Sequence, residues 1–279
     1  MLVPVVIYAC LGAVAGILAG LLGVGGGIVI VPMLSVAFAM QNLPHELIMH
    51  LALGTSMASI IFTSFSSAVA HNGRQSVLWN LVKIITPSIM LGTFFGSFIA
   101  SKIPTRYLQL FFALFLLVVA FQMFFGKNPK ANRQLPDSLG ISLFGAAIGI
   151  ISSLVGIGGG TVSVPFMVFH NVELRKAIGT SSAIGIPIAV AGAAGYLING
   201  LSNPDLPEYS LGYIYLPALF GLVLFSSLTS PVGAKLTHSL PVHKIKKCFA
   251  FLLLVVSIKM FLETAQPAGC AVSSLFENA

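Results

Sequence analysis

Eight stretches of this chain are each apolar enough and long enough to cross a lipid bilayer, and that leaves it few ways to fold. A spanning helix needs about 20 mostly apolar residues. Such runs fall at 3–22, 46–70, 78–100, 106–125, 139–155, 174–199, 211–236 and 243–262. Two shorter apolar pieces, 28–40 and 161–169, each follow a cluster of glycines. Charged residues make up only 8 % of the chain, against about 25 % in ordinary soluble domains. Such a chain cannot coat its own surface with polar groups, so its solvent is lipid. Disorder is excluded too, because it needs low hydrophobicity and high charge. The expected fold is an all-α polytopic membrane protein with about eight full spans plus two discontinuous segments.

The two halves repeat each other. Leu21 to Pro32 reads LLGVGGGIVIVP and Leu154 to Pro165 reads LVGIGGGTVSVP. Gly54-Thr55-Ser56 returns as Gly179-Thr180-Ser181, and FALFLLVVAFQMF (Phe112–Phe124) returns as FAFLLLVVSIKMF (Phe249–Phe261). Three blocks in one order divide the chain into a first membrane repeat at 1–126, a polar linker at 127–137, a second membrane repeat at 138–263 and a flexible tail at 264–279. Duplicated membrane halves commonly enclose a site at their interface; a purely structural duplication is the plainer reading. The opening MLVPVV has no basic stretch before its apolar run, so the first segment is expected to stay as a span rather than to be cleaved.

Loop charge bears on whether the repeats are parallel or inverted. If 3–40 crosses once, each half crosses four times. Lys102, Arg106, Arg175, Lys176, Lys235, Lys244, Lys246 and Lys247 then share one side, against Arg74, Lys83, Lys127, Lys130 and Arg133. If the glycines reverse the chain and 28–40 crosses back, each half crosses five times and the second half is inverted. One face then gathers Arg74, Lys83, Lys127, Lys130, Arg133, Arg175, Lys176, Lys235, Lys244, Lys246 and Lys247, and the other keeps Lys102 and Arg106. Basic loops favour the cytoplasmic side, so the inverted arrangement is expected, with both termini outside and the 127–137 linker in the cytoplasm. The β-branched residues 28–32, closed by Pro32, suit an extended strand at about 3.3 Å per residue. With a short helix after it, that segment comes near the roughly 30 Å of a hydrocarbon core.

The net charge of +7 would hint at nucleic acid in a soluble protein, but here it reports orientation. Cys10, Cys248 and Cys270 are an odd number at no metal spacing, so neither a disulfide framework nor a metal site is expected. All seven carboxylates (Glu46, Asp137, Glu173, Asp205, Glu208, Glu263 and Glu277) fall in loops, at helix ends or in the tail. The carboxylates that cation and proton transporters hold in mid-membrane are missing.

What remains for chemistry is glycine and hydroxyl. Gly23, Gly25, Gly26 and Gly27, with their counterparts Gly156, Gly158, Gly159 and Gly160, permit positive φ and let backbone N–H groups point at a ligand. Close helix packing is the bland alternative. Neither cluster has the Lys and Ser/Thr of a phosphate loop. Thr55, Ser56, Thr180 and Ser181 supply donors that suit an oxyanion, and Ser59, Thr63 and Ser182 add to them; the alternative is helix packing or back-bonding. Inverted halves would bring Thr55-Ser56 and Thr180-Ser181 to facing positions. His50, His71 and Lys259 are candidates for coupling or gating. Against this stand packing histidines and a lysine that snorkels to the interface. His71-Asn72-Gly73 corresponds loosely to Leu197-Ile198-Asn199-Gly200, so the second half lacks this histidine, and Pro187 is expected to kink its helix.

At the level of motif the chain resembles the sulfite exporter TauE/SafE family, also called the 4-toluene sulfonate uptake permease family. The resemblance lies in GLLGVGGGIVIVPML (Gly20–Leu34), SLVGIGGGTVSVPFM (Ser153–Met167), ALGTSMA (Ala52–Ala58) and AIGTSSA (Ala177–Ala183). It implies an inner-membrane transporter of sulfite, sulfonate or related small organosulfur anions, with no cofactor and no nucleic acid partner. A passive anion channel would use the same donors. An intramembrane enzyme lacks its motifs, since neither HExxH nor GxSxG occurs, and a nucleotide-driven pump lacks its phosphate loop.

Overall fold

The computed structural model describes residues 2–22, 26–125, 136–239 and 242–265, without the side chains of 2–6, 22, 237–239, 242–249, 263 and 265. Gly23, Gly25, most of the linker and the tail beyond 265 lie outside the described residues. Among the described residues the regular elements are helices and one short hairpin. Helices are the expected solution, because a backbone surrounded by hydrocarbon must satisfy its own hydrogen bonds.

Among the described residues five helices fall in each half. The first half has α1 (Leu2–Leu22), α2 (Gly27–Met40), α3 (Ile48–Asn72), α4 (Trp79–Lys102) and α5 (Thr105–Phe125). The second half has α6 (Ser138–Val155), α7 (Gly160–Phe169), α8 (Leu174–Gly200), α9 (Leu216–Ser239) and α10 (Val242–Ala265), with strands β1 (Ser210–Leu211) and β2 (Ile214–Tyr215) between α8 and α9. Six of these helices, α3, α4, α5, α6, α8 and α9, are long and apolar enough to cross a membrane.

Residues 28–32 are not extended. They form the first turns of α2, which starts at Gly27 and carries Pro32 inside it. The β-branched run was a poor guide, because helix lets these residues satisfy their backbone groups without a partner strand in a dry interior. At about 1.5 Å per residue, α2 reaches about 21 Å and α7 about 15 Å, both short of a bilayer core of about 30 Å.

Each short helix doubles back on its predecessor. The Gln41 amide, one residue past α2, donates to the Tyr8 hydroxyl near the start of α1 (2.6 Å). In the second half the Phe166 ring of α7 lies 4.4 Å from Phe144 of α6. Both helix pairs are therefore hairpins folded about a glycine turn.

The halves are packed into each other. α1 lies along α9 in parallel, with Gly12, Gly16 and Gly20 against Leu222, Ser226 and Ser230. α6 lies along α4 in the same way, with Gly145 and Gly149 against Ile85 and Ile89. In each case the first helix of one half seats on the fourth helix of the other. α3 and α8 cross at the centre and run antiparallel: Met57 meets Gly192, Ser64 meets Gly185, and Ser67 donates to Ser182 Oγ (3.0 Å). α4, α5, α6 and α9 present large apolar side chains outward, among them Phe95, Leu114, Leu143 and Phe220, which suits a lipid-facing surface.

Candidate site at two glycine turns

α3 carries a column of buried hydroxyls and no charged residue. Ser56, Ile60 and Ser64 recur at four-residue spacing and so share one face. That face meets the glycine turns. Ser56 donates to the Gly156 carbonyl (2.8 Å), Ile60 lies against Gly27, and Ser64 lies against Gly185 beside the Gly158 carbonyl. On the far side α8 offers Ser181, Gly185 and Ile188. Ser163 of α7 donates to Ser181 Oγ (3.1 Å), and Ile188 covers Gly159.

The glycines that cap the two short helices have nearly one conformation. Gly26 sits at φ 81°, ψ −16° and Gly159 at φ 75°, ψ −12°. Both are in the left-handed region, which costs an L-residue with a Cβ about 1–2 kcal/mol. Each is the N-cap of its short helix and accepts the first two bonds. Val29 and Ile30 donate to the Gly26 carbonyl, and Val162 and Ser163 to that of Gly159. The N–H groups of the first helical residues point outward from such a terminus, where the helix dipole favours negative charge.

The turns also touch. A Cβ on Gly27 would run into the Gly156 carbonyl and come within 2.9 Å of Ile157 Cα. Gly27 is therefore fixed as glycine by the approach of one turn's backbone to the other's. The structure brings together Gly26, Gly27, Ser56, Gly156, Gly158, Gly159, Gly160 and Ser181. Gly23 and Gly25 lie outside the described residues.

Thr55 and Thr180 do something else. Thr55 Oγ1 accepts the Tyr215 N–H (2.9 Å), and Thr180 Oγ1 accepts the Leu78 N–H (2.9 Å). Gly54 packs on the Tyr213 carbonyl and Gly179 on that of Ser76. Each Gly-Thr pair thus holds the loop that follows the third or eighth helix of the other half. Because α3 and α8 are antiparallel, the two pairs lie at opposite ends and do not face one another. The expectation of facing threonines is corrected on this point.

His50, His71 and Lys259 are also apart. Twenty-one residues separate the histidines along α3, about 30 Å of helix. His50 Nδ1 is 3.4 Å from Thr105 Oγ1, and its ring lies 5.2 Å from that of Tyr213. His71 Nε2 is 3.0 Å from the Gly20 carbonyl. Lys259 borders a groove of about 470 Å³ between α1, α2 and α10, together with Leu11, Met33, Gln41 and Met260.

Sequence reasoning missed the hydroxyls of the second turn. Ser64 Oγ, Ser152 Oγ and Thr161 Oγ1 are buried and have no hydrogen-bond partner among the described residues. The signal was present in the repeat itself: where the second half has Ser152, Thr161 and Ser163, the first has Ala19, Ile28 and Ile30. Leaving a buried hydroxyl unpaired costs about 1–3 kcal/mol, so these three call for a function. Among the described residues no three His, Cys, Asp or Glu side chains gather as metal ligands.

Comparison with known proteins agrees with the architecture. Residues 8–260 match the family model described as Sulfite exporter TauE/SafE, and the chain belongs to that family. It is 40 % identical over 253 residues to a probable membrane transporter protein of Haemophilus influenzae, across 90 % of this chain and 96 % of that one. It is 28 % identical over 233 residues to the probable membrane transporter protein YdhB of Bacillus subtilis, across 81 % and 87 %. It is 26 % identical over 265 residues to the probable membrane transporter protein MJ0441 of Methanocaldococcus jannaschii, across 94 % and 96 %. No solved structure matches.

Proposed function

From its place in the TauE/SafE family, we propose that this multi-pass membrane protein is a secondary transporter of small sulfur-containing anions, sulfite or sulfonates, across the bacterial inner membrane. The observation that carries this reading is the meeting of two short helices, α2 and α7, by their N-terminal glycine turns between α3 and α8. Gly27 lies against Gly156, and Ser56 ties that turn to α3. Two helix N-termini in an interior without charged side chains make a place for an anion and none for a metal cation.

The same reading takes the halves as inverted repeats about an axis in the membrane plane, with eight full spans and two half-length helices. The antiparallel crossing of α3 and α8 supports it, as do the parallel pairs α1 with α9 and α4 with α6. Parallel repeats would have α3 and α8 running the same way. The basic linker then lies in the cytoplasm and both termini outside, following the loop charges.

Flux into liposomes containing the purified protein tests the reading, using methanesulfonate, 4-toluenesulfonate, sulfite and sulfate. Saturable uptake of a sulfonate or sulfite that responds to an imposed ion gradient is expected. Non-saturating flux that follows only the anion's own gradient would make the protein a channel. No flux for any of the four would remove the substrate class.

A further inference from the structure

We infer that the anion's oxygens are held by the second glycine turn alone, in a donor pocket built from Ser64, Ser152 and Thr161 at the N-terminus of α7, and that this pocket selects monovalent over divalent oxyanions. The inference rests on the transport reading above and narrows it to one side of the seam.

The asymmetry is visible residue by residue. The capping glycines Gly26 and Gly159 match in backbone angles and in the helix bonds that they accept, so a ligand that read only these helix ends would find two equal sites. Their side chains differ. Ser152 is fully buried in the last turn of α6 and would lie 3.5 Å from a Cβ on Gly159. Ser64, 1 % exposed, would lie 2.6 Å from a Cβ on Gly185, a point only 3.3 Å from the Gly158 carbonyl. Thr161, 8 % exposed, is the second residue of α7. All three hydroxyls lack a hydrogen-bond partner among the described residues. Their counterparts Ala189, Ala19 and Ile28 have no side-chain donor, so the helix end at Gly26 has no matching hydroxyls. That end still contributes, since Gly27 of α2 abuts Gly156 and Ile157.

Valence follows from the charges available. α3, α6 and α7 contain no charged residue, and α8 has none beyond Lys176. The positive potential comes from two helix N-termini, each equivalent to roughly half an elementary charge. Together they balance about one negative charge. A sulfonate or hydrogensulfite is matched, and its oxygens meet three hydroxyls and the leading N–H groups of α7. Sulfate would bring a second charge into a dry site with nothing to pair it, which is heavily disfavoured.

Ligand-induced thermal stabilisation of the purified full chain, titrated with methanesulfonate and with sulfate at matched ionic strength, tests this beside liposome flux. Wild-type protein is expected to bind methanesulfonate at least tenfold more tightly than sulfate. Ser64→Ala, Ser152→Ala and Thr161→Val should each weaken methanesulfonate binding about tenfold, and Thr161→Ser should restore it. Ser257→Ala, which removes a buried hydroxyl bonded to Ala113 on α5, should bind as wild type does. Methanesulfonate transport with wild-type affinity in all three deletions would overturn the pocket and leave the transporter standing. Equal affinity for sulfate would overturn the valence selection. Binding with the expected pattern but no flux would overturn transport and keep the pocket, and neither binding nor flux would overturn both.

Discussion

His71 and Tyr196 hold the same position in the two halves and do the same work with different chemistry. Each lies sixteen residues beyond its repeat's Gly-Thr threonine, Thr55 or Thr180. His71 Nε2 is 3.0 Å from the Gly20 carbonyl, and the Tyr196 hydroxyl donates to the Ser153 carbonyl at 2.8 Å. Gly20 and Ser153 in turn precede the first glycine of their turns by three residues. Both side chains therefore pin the end of the helix that leads into a turn. A contact that survives the exchange of imidazole for phenol is one of position rather than of proton transfer.

His71→Gln follows directly. A glutamine amide can place a donor near where Nε2 stands, so the variant should fold and transport at near wild-type rates. His71→Ala and Tyr196→Phe each remove one buried hydrogen bond, to the Gly20 or the Ser153 carbonyl, and should lower stability by about 0.5–1.5 kcal/mol, read as the melting temperature of purified protein. Normal stability with abolished flux in His71→Gln would give this histidine a coupling role instead.

The glycines of the seam should differ in their tolerance. Gly27→Ala drives a Cβ into the Gly156 carbonyl, and backbone on both sides cannot yield. Gly73→Ala, whose nearest neighbour would be 3.7 Å away, should be silent. Gly26→Ala meets the Ala15 carbonyl at 3.0 Å while holding φ at 81°, an arrangement expected to cost about 1–2 kcal/mol from backbone alone. Melting temperatures should fall in the order Gly73→Ala, Gly26→Ala, Gly27→Ala, and transport should be lost in the last. An unaffected Gly27→Ala would mean that the turns do not touch.

Much of this architecture could be read from the residues, and the failures have a common cause. The ten helices fall where the apolar runs and glycine clusters put them, because hydrocarbon thickness and backbone satisfaction act locally. The reversal at the turns was legible through loop charge, a property of single residues summed over the chain. Residues 28–32 were misread because β-branching speaks only weakly against helix when no partner strand is at hand. Thr55 and Thr180 were misplaced because the sliding register of α3 against α8 is set by distant contacts such as Met57 with Gly192. That Tyr196 answers His71 follows from counting sixteen residues from each threonine, but no residue identity draws attention to the pair and only their contacts show that they do the same work.

Thr55→Val and Thr180→Val should behave as a matched pair. Each removes the acceptor for one loop N–H, that of Tyr215 or Leu78. Each should lower stability by about 1–3 kcal/mol, and Thr→Ser at either place should recover it. Because the two sites lie at opposite ends of the bundle, the double variant should show additive losses. Strong non-additivity in thermal unfolding would mean that the threonines meet after all.

Orientation gives the last prediction. In the inverted arrangement the α3–α4 loop with exposed Gln75 lies in the cytoplasm, and the loop between α8 and β1 with exposed Glu208 lies outside. The two loops are held in equivalent ways by Thr180 and Thr55, at opposite ends of the antiparallel α3–α8 pair. In a background with Cys10, Cys248 and Cys270 replaced by serine, a membrane-impermeant thiol reagent added to intact cells should label Glu208→Cys and spare Gln75→Cys until the membrane is opened. The basic Arg74, next to Gln75, donates to the Ala234 carbonyl at the end of α9 (2.9 Å), so this loop is fixed to the bundle and cannot reach the other face. Labelling of Gln75→Cys from outside, or equal labelling of both, would break the inverted arrangement and with it the axis that relates the two glycine turns.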